Sequence, residues 1–231
     1  ELPDYHRRAS AWYEANNDPA GAFHHALAAG DAERAAWLAE AAWPDMERGF
    51  HTAIWLGWVK KLPDAVVRSR PGLCVQLARG LKDVGDVNES ETWLRNAERA
   101  LAGAQVEDES RTLPATIALI RGDNAQILGD VIGTLKYTEL ALQLAPEDDL
   151  FLRAHAAITL GFTRWATGDL EAALAALYAW MDDMQKMGNR EFVIASAFAA
   201  ADMLVIMGRL DEAEKALRGA ITRASELGPA A

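Results

Sequence analysis

The sequence predicts an all-α protein in which antiparallel helix pairs repeat with a period of about 40 residues. Three observations support this prediction. Alanine and leucine dominate a chain of 231 residues with only 8 prolines, and strictly alternating β-branched runs are absent, so helix is the preferred backbone state. A glycine followed by a polar residue recurs at regular spacing. A small side chain follows each of these glycines at a fixed distance.

The recurring glycine marks a turn between two helices. Glycine adopts the left-handed conformation that ends a helix, and a following aspartate accepts a hydrogen bond from the free amides of the next helix. The last four glycines are separated by 44 (85 to 129), 39 (129 to 168) and 40 (168 to 208) residues. The five steps are Gly30-Asp31, Gly85-Asp86, Gly129-Asp130, Gly168-Asp169 and Gly208-Arg209.

The residue five positions after each turn glycine is always small. A small residue there lets the two helices of a pair approach closely, whereas a large one would overpack the contact. The five residues are Ala35, Ser90, Thr134, Ala173 and Ala213.

These features resemble tetratricopeptide-like repeats. Leu160 and Gly161 stand eight and seven residues before Gly168, as Leu77 and Ala78 do before Gly85. A period near 40, against about 34 in such repeats, implies helices about one turn longer. The resemblance implies a right-handed superhelix whose concave wall is lined by the first helix of each pair. An irregular helical bundle with coincidental glycine turns is the alternative.

The helices are predicted in order along the chain. The first pair covers 4–16 and 19–29, with Asp18 as N-cap and Pro19 at the first helical position, and a partner helix covers 31–43. A divergent section from Pro44 to Pro71 holds one helix and a short turn of another. Four regular pairs then run to about residue 227. Pro146 ends one second helix, and 102–110 is expected to form an exposed loop.

Charge and cysteine content restrict the partners that we expect. A net charge of −11 repels nucleic acid, so we expect no direct contact with it. Cys74 is the single cysteine, which excludes an intrachain disulfide and a multi-cysteine metal site and fits the reducing cytoplasm. No apolar run reaches the ~18 residues of a membrane span, so no membrane partner is expected.

Three stretches in order resemble the MalT-like, large ATP-binding LuxR-type transcription activators of bacteria. They are 5–43, which begins "YHRRASAWYE", 56–81, which begins "LGWVKKLPDA", and the Gly-Asp repeats. In that family the Tyr-His-Arg-Arg segment follows the nucleotide-binding module, and the Leu-Pro-Asp stretch opens a tetratricopeptide-like sensor region. We therefore divide the chain into an N-terminal helical segment, 1–48, and a repeat solenoid, 49–231, with no firm boundary.

The resemblance also implies a role. The chain contains no GxxxxGK[ST] phosphate loop and no C-terminal basic helix-turn-helix, which the family places before and after this region, so we expect an excised piece of a longer protein. The implied role is to bind a small inducer and to couple it to oligomerisation with other domains or copies of the parent regulator. We expect no cofactor in this segment.

The residues leave one alternative function open and disfavour another. A peptide-binding adaptor that holds an extended partner in the groove is the alternative. An enzyme is not expected, because no nucleophile, base and orienting group form a recognisable set. No metal site is expected either, because His24 and His25 are adjacent on a helix and point about 100° apart without further ligands at helical spacing.

The predicted repeat geometry selects candidate ligand-binding residues. Positions 13, 10, 6 and 3 before each turn glycine face the concave wall, and acids and an amide beside aromatic rings suit a polar, ring-bearing ligand. A solvated groove without a ligand is the other interpretation. The candidates are Arg79, Asp123, Gln126, His155, Phe162, Trp165, Phe198 and Asp202.

Overall fold

The computed structural model describes residues 2–103 and 111–227. These residues form thirteen helices and no strand, so the all-α prediction is confirmed. Most of the predicted loop 102–110 lies outside the described residues. The helices are α1 (Leu2–Ala15), α2 (Pro19–Ala28), α3 (Ala32–Arg48), α4 (Thr52–Val59), α5 (Asp64–Arg68), α6 (Pro71–Asp83), α7 (Val87–Gly103), α8 (Leu113–Ile127), α9 (Val131–Leu144), α10 (Leu150–Ala166), α11 (Leu170–Lys186), α12 (Arg190–Ile206) and α13 (Leu210–Leu227).

The chain divides into two compact units, Glu1–Ile120 and Arg121–Ala231, with the division inside α8. The N-terminal unit buries Phe23, Trp55 and Leu73 completely, and the C-terminal unit does the same with Met184 and Met203. The boundary expected at residue 48 stays a prediction. Trp43 and Trp55, on either side of it, pack with their ring centroids 4.5 Å apart in the N-terminal unit.

All five predicted turn glycines lie between helices and have positive φ angles, from +73° at Gly30 to +88° at Gly168. In four of the turns the following aspartate caps the next helix by accepting an amide hydrogen bond, as Asp31 Oδ1 does from the Arg34 amide at 3.0 Å. Gly188, with φ +79°, is a sixth turn glycine that the repeat analysis missed. It lies between α11 and α12, so it joins two pairs instead of two helices of one pair.

The small residues five positions after the glycines are all buried, as predicted. Ala35 and Ser90 are completely buried, and the other three are at most 3% exposed. The helices of a pair also meet at a second place. A Cβ added at Gly161 on α10 would lie 2.4 Å from the Cβ of Ala176 on α11, which leaves room for hydrogen only.

The helix expected to end at residue 43 continues through Pro44 to Arg48. Proline has no amide hydrogen, so the carbonyl of Glu40, four residues earlier, loses its helical donor. The Gln76 side chain on α6 replaces that donor, since its Nε2 lies 3.2 Å from the Glu40 oxygen. The prediction was wrong here because the replacement donor comes from a residue distant in the sequence.

The other expectations for helix order are confirmed. The divergent section holds α4 and the short α5, four regular pairs follow from α6 to Leu227, and α9 ends before Pro146. The Trp55 indole on α4 donates to the Ala39 carbonyl on α3 at 2.8 Å, which anchors this section to the preceding helix. Trp37 is an exception among the nearby tryptophans, being 46% exposed.

We expect Ala173→Leu to lower the free energy of unfolding by about 1–3 kcal/mol, because the larger side chain overpacks the buried position at the start of α11. Ala175→Leu, at an exposed position on the same helix, is the matched control and should change stability by less than about 0.5 kcal/mol. Urea unfolding followed by circular dichroism measures both. Equal midpoints for the two variants would contradict the close approach.

We expect opposite effects from two glycine-to-alanine substitutions. Gly161→Ala should destabilise the protein by about 1–3 kcal/mol, because its Cβ would clash with Ala176. Gly219→Ala on α13 should stabilise it by about 0.5–1 kcal/mol, because the new Cβ meets only the Arg223 side chain, at 3.6 Å, and alanine favours helix. Thermal unfolding of the pair gives the comparison, and a shared sign would refute this account of the helix contacts.

Candidate functional site

The predicted ligand-binding residues lie on the first helices of the four regular pairs, α6, α8, α10 and α12. Arg79 belongs to the N-terminal unit, and the other seven belong to the C-terminal unit. The site is therefore described within the C-terminal unit, and Arg79 by itself.

Arg79 is mostly buried on α6 and its charge is paired within the protein. Its Nη1 donates to Glu47 Oε1 on α3 at 3.0 Å, and the two side chains are 11% and 19% exposed. A buried guanidinium requires such a partner, because an unpaired charge away from water is costly. The cation thus connects α6 to α3, which accounts for a charged residue on an otherwise apolar helix.

Asp123 is the centre of a polar network between α8 and α10. Its Oδ2 lies 3.3 Å from His155 Nε2, and its Oδ1 accepts from the Thr159 hydroxyl at 3.1 Å. The Asp123 side chain is 10% exposed and the His155 side chain 21%, so the pair lies at the edge of the core with limited access to water. Thr159 also lies 3.0 Å from the carbonyl oxygen of His155 on its own helix.

The His155 ring joins this network to an aromatic cluster formed by Phe151, Trp180 and Phe192. Its centroid lies 5.7 Å from that of Trp180 and 6.1 Å from that of Phe151. The Trp180 indole donates to the Ser196 hydroxyl at 3.0 Å. His155 Nδ1 is buried and has no hydrogen-bond partner among the described residues. This arrangement leaves one unused polar atom beside flat apolar surfaces.

Phe162 and Trp165 lie further along α10, with ring centroids 6.0 Å apart in a tilted arrangement. Both are half-buried and pack against the core of the C-terminal unit. Each ring therefore supports the fold with one part of its surface and leaves the other part accessible.

The remaining candidates are more accessible. Gln126 is half-buried near the end of α8, and Asp202 is exposed on α12. Phe198, four residues before Asp202, is 61% exposed. In the row six positions before each glycine, the C-terminal unit thus presents a buried acid, a half-buried ring and an exposed acid, which are Asp123, Phe162 and Asp202.

Sequence reasoning missed several residues that complete this region. Thr159 lies one helical turn after His155, so its spacing was an available signal. Trp180 and Phe192 belong to other helices, and no local pattern links them to His155. In the N-terminal unit the structure also joins His6 to His25 through their Nδ1 atoms at 2.8 Å, with Tyr13 stacked on His25.

Cys74 is a buried residue of the core. Burial, reinforced by the negative charge of Glu40, raises the pKa of the Cys74 thiol to about 12, although Arg68 opposes the shift. The thiol lies 3.1 Å from the Val67 carbonyl and stays protonated at neutral pH. Among residues 2–103 and 111–227, no three His, Cys, Asp or Glu side chains are grouped to hold a metal ion. None of the helices within these ranges combines the length and apolarity needed to cross a membrane.

Comparison with known proteins finds weak sequence similarity to transcriptional regulators. The chain is 27% identical over 231 residues to the HTH-type transcriptional regulator MalT of Cronobacter sakazakii, a match that covers 98% of this chain and 25% of that protein. MalT of Serratia proteamaculans is 26% identical over 218 residues, covering 92% of this chain and 24% of that protein. The chain is thus weakly similar to MalT-type regulators over most of its length.

A second kind of protein shares part of the sequence. The serine/threonine-protein kinase PknK of Mycobacterium tuberculosis is 34% identical over 139 residues, which are 57% of this chain and 12% of the kinase. The chain spans a quarter or less of the length of these curated relatives. No family model matches the chain. Among solved structures, the crystal structure of MamA protein is similar at TM-score 0.44 and 14% identity, covering 100% of this chain and 98% of that one.

We expect Asp123→Ala to cost about 1–3 kcal/mol of stability, because it removes the acceptor from the buried Thr159 hydroxyl and from His155. Asp202→Ala, at the equivalent but exposed position on α12, is the matched control and should shift stability by less than about 0.5 kcal/mol. Calorimetric melting temperatures compare the two. A wild-type melting temperature for Asp123→Ala would show that the network does not stabilise the fold.

Proposed function

We propose that this chain is the effector-sensing and protein-interaction region of a bacterial transcription activator. The observation that carries the proposal is the similarity to MalT, which covers 98% of this chain but only 25% of a protein named as an HTH-type transcriptional regulator. A helical-repeat segment of that size suits regulation inside a larger protein.

The similarity to PknK favours a regulatory role for this chain over the final activity for which each relative is named. PknK is named as a kinase and MalT as a transcriptional regulator, yet the same chain is similar to a segment of each. A segment shared by proteins with different outputs fits sensing or docking. We therefore propose that this region performs no catalysis, takes no cofactor, contacts neither nucleic acid nor membrane, and acts in the cytoplasm.

The proposed effector site is the first-helix face of the C-terminal unit. Asp202 would accept hydrogen bonds from hydroxyl or amide groups of the ligand, and Gln126 would accept or donate them. The rings of Phe162, Trp165 and Phe198 would stack on its flat or apolar part. Asp123 and His155 would hold the wall in shape through their network. The effector favours an oligomeric state only by the difference in its affinity for the resting and the oligomeric states.

A peptide-binding adaptor is the second candidate function. Exposed apolar side chains on α12 favour it. Phe198 is 61% exposed and Val205 is 53% exposed. They lie seven residues apart, so they share one helix face with Asp202 between them. Such an open apolar and acidic stripe also suits a partner segment that carries apolar and basic side chains.

A ligand screen of the 231-residue chain tests the proposal. Thermal shift against a metabolite library should yield compounds that raise the melting temperature, because a ligand that binds the native state stabilises it by RT ln(1 + [L]/Kd). Light scattering with and without each compound then tests whether the chain oligomerises. Stabilisation by basic peptides but by no metabolite would replace the sensor function with the adaptor function.

Phe198→Ala is the most direct site variant, because the side chain is exposed and its loss leaves the core intact. We expect it to weaken binding of a compound found in the screen by about 1–3 kcal/mol, the value of one stacked ring. Ile132→Ala, at an 80% exposed position on α9, is the control and should leave Kd unchanged. Equal Kd values for the two variants in calorimetry would rule out the proposed face.

Trp165→Ala gives an independent test of the same face. We expect a loss of about 1–3 kcal/mol in binding without global unfolding, if stacking on this ring holds the ligand. Because Trp165 also packs on the core, circular dichroism must accompany the Kd measurement. Global unfolding of the variant would assign Trp165 to the core and remove it from the site.

A further inference from the structure

A cleft lies on the C-terminal unit and includes none of the predicted site residues. It has a volume of about 720 Å³ and is lined by residues of α11, α12 and α13. Small-molecule sites fall in the range of about 300–1,000 Å³. The cleft therefore has the dimensions of a ligand site and is separate from the face described above.

The apolar part of the cleft lining, called the alanine floor below, contains three alanines. Ala197 and Ala200 on α12 are buried, Ala216 lies on α13, and Met181 and the ring of Tyr178 on α11 add further apolar surface. Methyl and thioether groups of this kind favour an alkyl chain or a flat ring over a polar ligand.

Gly219 leaves open space in the wall of the cleft. No close contact between helices requires a glycine at this position. It lies in the middle of α13, where glycine is less favourable than alanine by about 1 kcal/mol. A Cβ at this position would meet only Arg223 Nη1, at 3.6 Å. The glycine thus keeps space free inside the cleft without permitting a close contact between helices.

Three cations line the cleft, Lys215, Arg218 and Arg223, and the first and last of them lie on either side of this gap. Lys215 and Arg223 are four residues before and after Gly219, so all three lie along one stripe of α13 and line the cleft. Neither cation forms an ion pair with another described residue, whereas the neighbouring Arg218 is paired with Glu214 at 2.6 Å.

The one acid lining the cleft, Glu212, balances only part of the positive charge, because most of its interaction is with a cation outside the lining. Glu212 accepts two hydrogen bonds of 2.6 Å from Arg209. These bonds lower the pKa of Glu212, and the charges of Arg209 and Lys215 lower it further, although desolvation opposes the shift. In a chain with a net charge of −11, the stripe is a local site of positive charge.

We propose that this cleft binds an amphipathic monoanion, with an alkyl chain or ring on the alanine floor and a carboxylate above Gly219 between Lys215 and Arg223. Charge complementarity selects the anion, and the apolar floor selects its body. This site is additional to the effector face proposed above and does not depend on it.

Octanoate and 1-octanol are the probes for this site, because they share the alkyl chain and differ in charge. In an amide-resolved NMR titration of the whole chain, octanoate should cause saturable shifts on α11 and α13 with a Kd of about 1 mM or below, as expected for a ligand of this size. Octanol should bind at least about threefold more weakly, since it lacks the ion pairs.

Variants test the charge and the gap separately. Lys215→Gln and Arg223→Gln should each raise the octanoate Kd about threefold and together about tenfold, while Lys136→Gln on α9 should leave it unchanged. Gly219→Leu should raise it about tenfold or more by filling the gap, whereas Gly219→Ala, equally compatible with helix, should have a smaller effect. Melting curves verify that each variant is folded.

The proposal is overturned if octanol binds as tightly as octanoate, if the double charge variant keeps the wild-type Kd, or if Gly219→Leu binds normally. Shifts confined to other helices would overturn it as well. Phe198→Ala separates the two sites, since it should leave octanoate binding intact. If no metabolite stabilises the protein but octanoate binds as expected, the proposed effector face is wrong and the proposal for this cleft stands.

Discussion

The structure depends on one constraint: the two helices of a pair approach each other closely where their residues are glycine or another small residue. At Gly161 only hydrogen fits against Ala176, and five residues after each turn glycine a small residue is buried. Helices packed closely exclude water from the groups between them, so buried polar atoms there are costly unless they find partners inside the protein. The same cost applies where α3 meets α6 and where α8 meets α10.

The polar networks illustrate how such partners are found. The Glu40 carbonyl, which loses its donor at Pro44, takes one from Gln76 on another helix. Asp123 takes one from Thr159 and faces His155, again across a helix interface. In each case the compensating group is more than thirty residues away in sequence. These contacts specify which helices pack together, because any other neighbour would leave a buried polar atom unsatisfied.

The C-terminal unit presents two chemically different surfaces. The first-helix face carries acids and rings, whereas the cleft among α11, α12 and α13 is lined by three alanines and three cations. The two proposed ligands would therefore differ in chemistry. They would be thermodynamically coupled wherever both alter one equilibrium.

The sequence by itself determined the helical class, the five glycine turns, the aspartate caps of four of them, the buried small residues and the order of the pairs. Each of these depends on residues within one helical hairpin, where local backbone preferences decide the outcome. Only the tertiary structure decided that α3 runs through Pro44, that Asp123 meets Thr159, that Trp180 packs on His155, and that a cleft lined by cations includes Gly219. Those features depend on side chains from separate helices, and their distances are set by packing that no local pattern records.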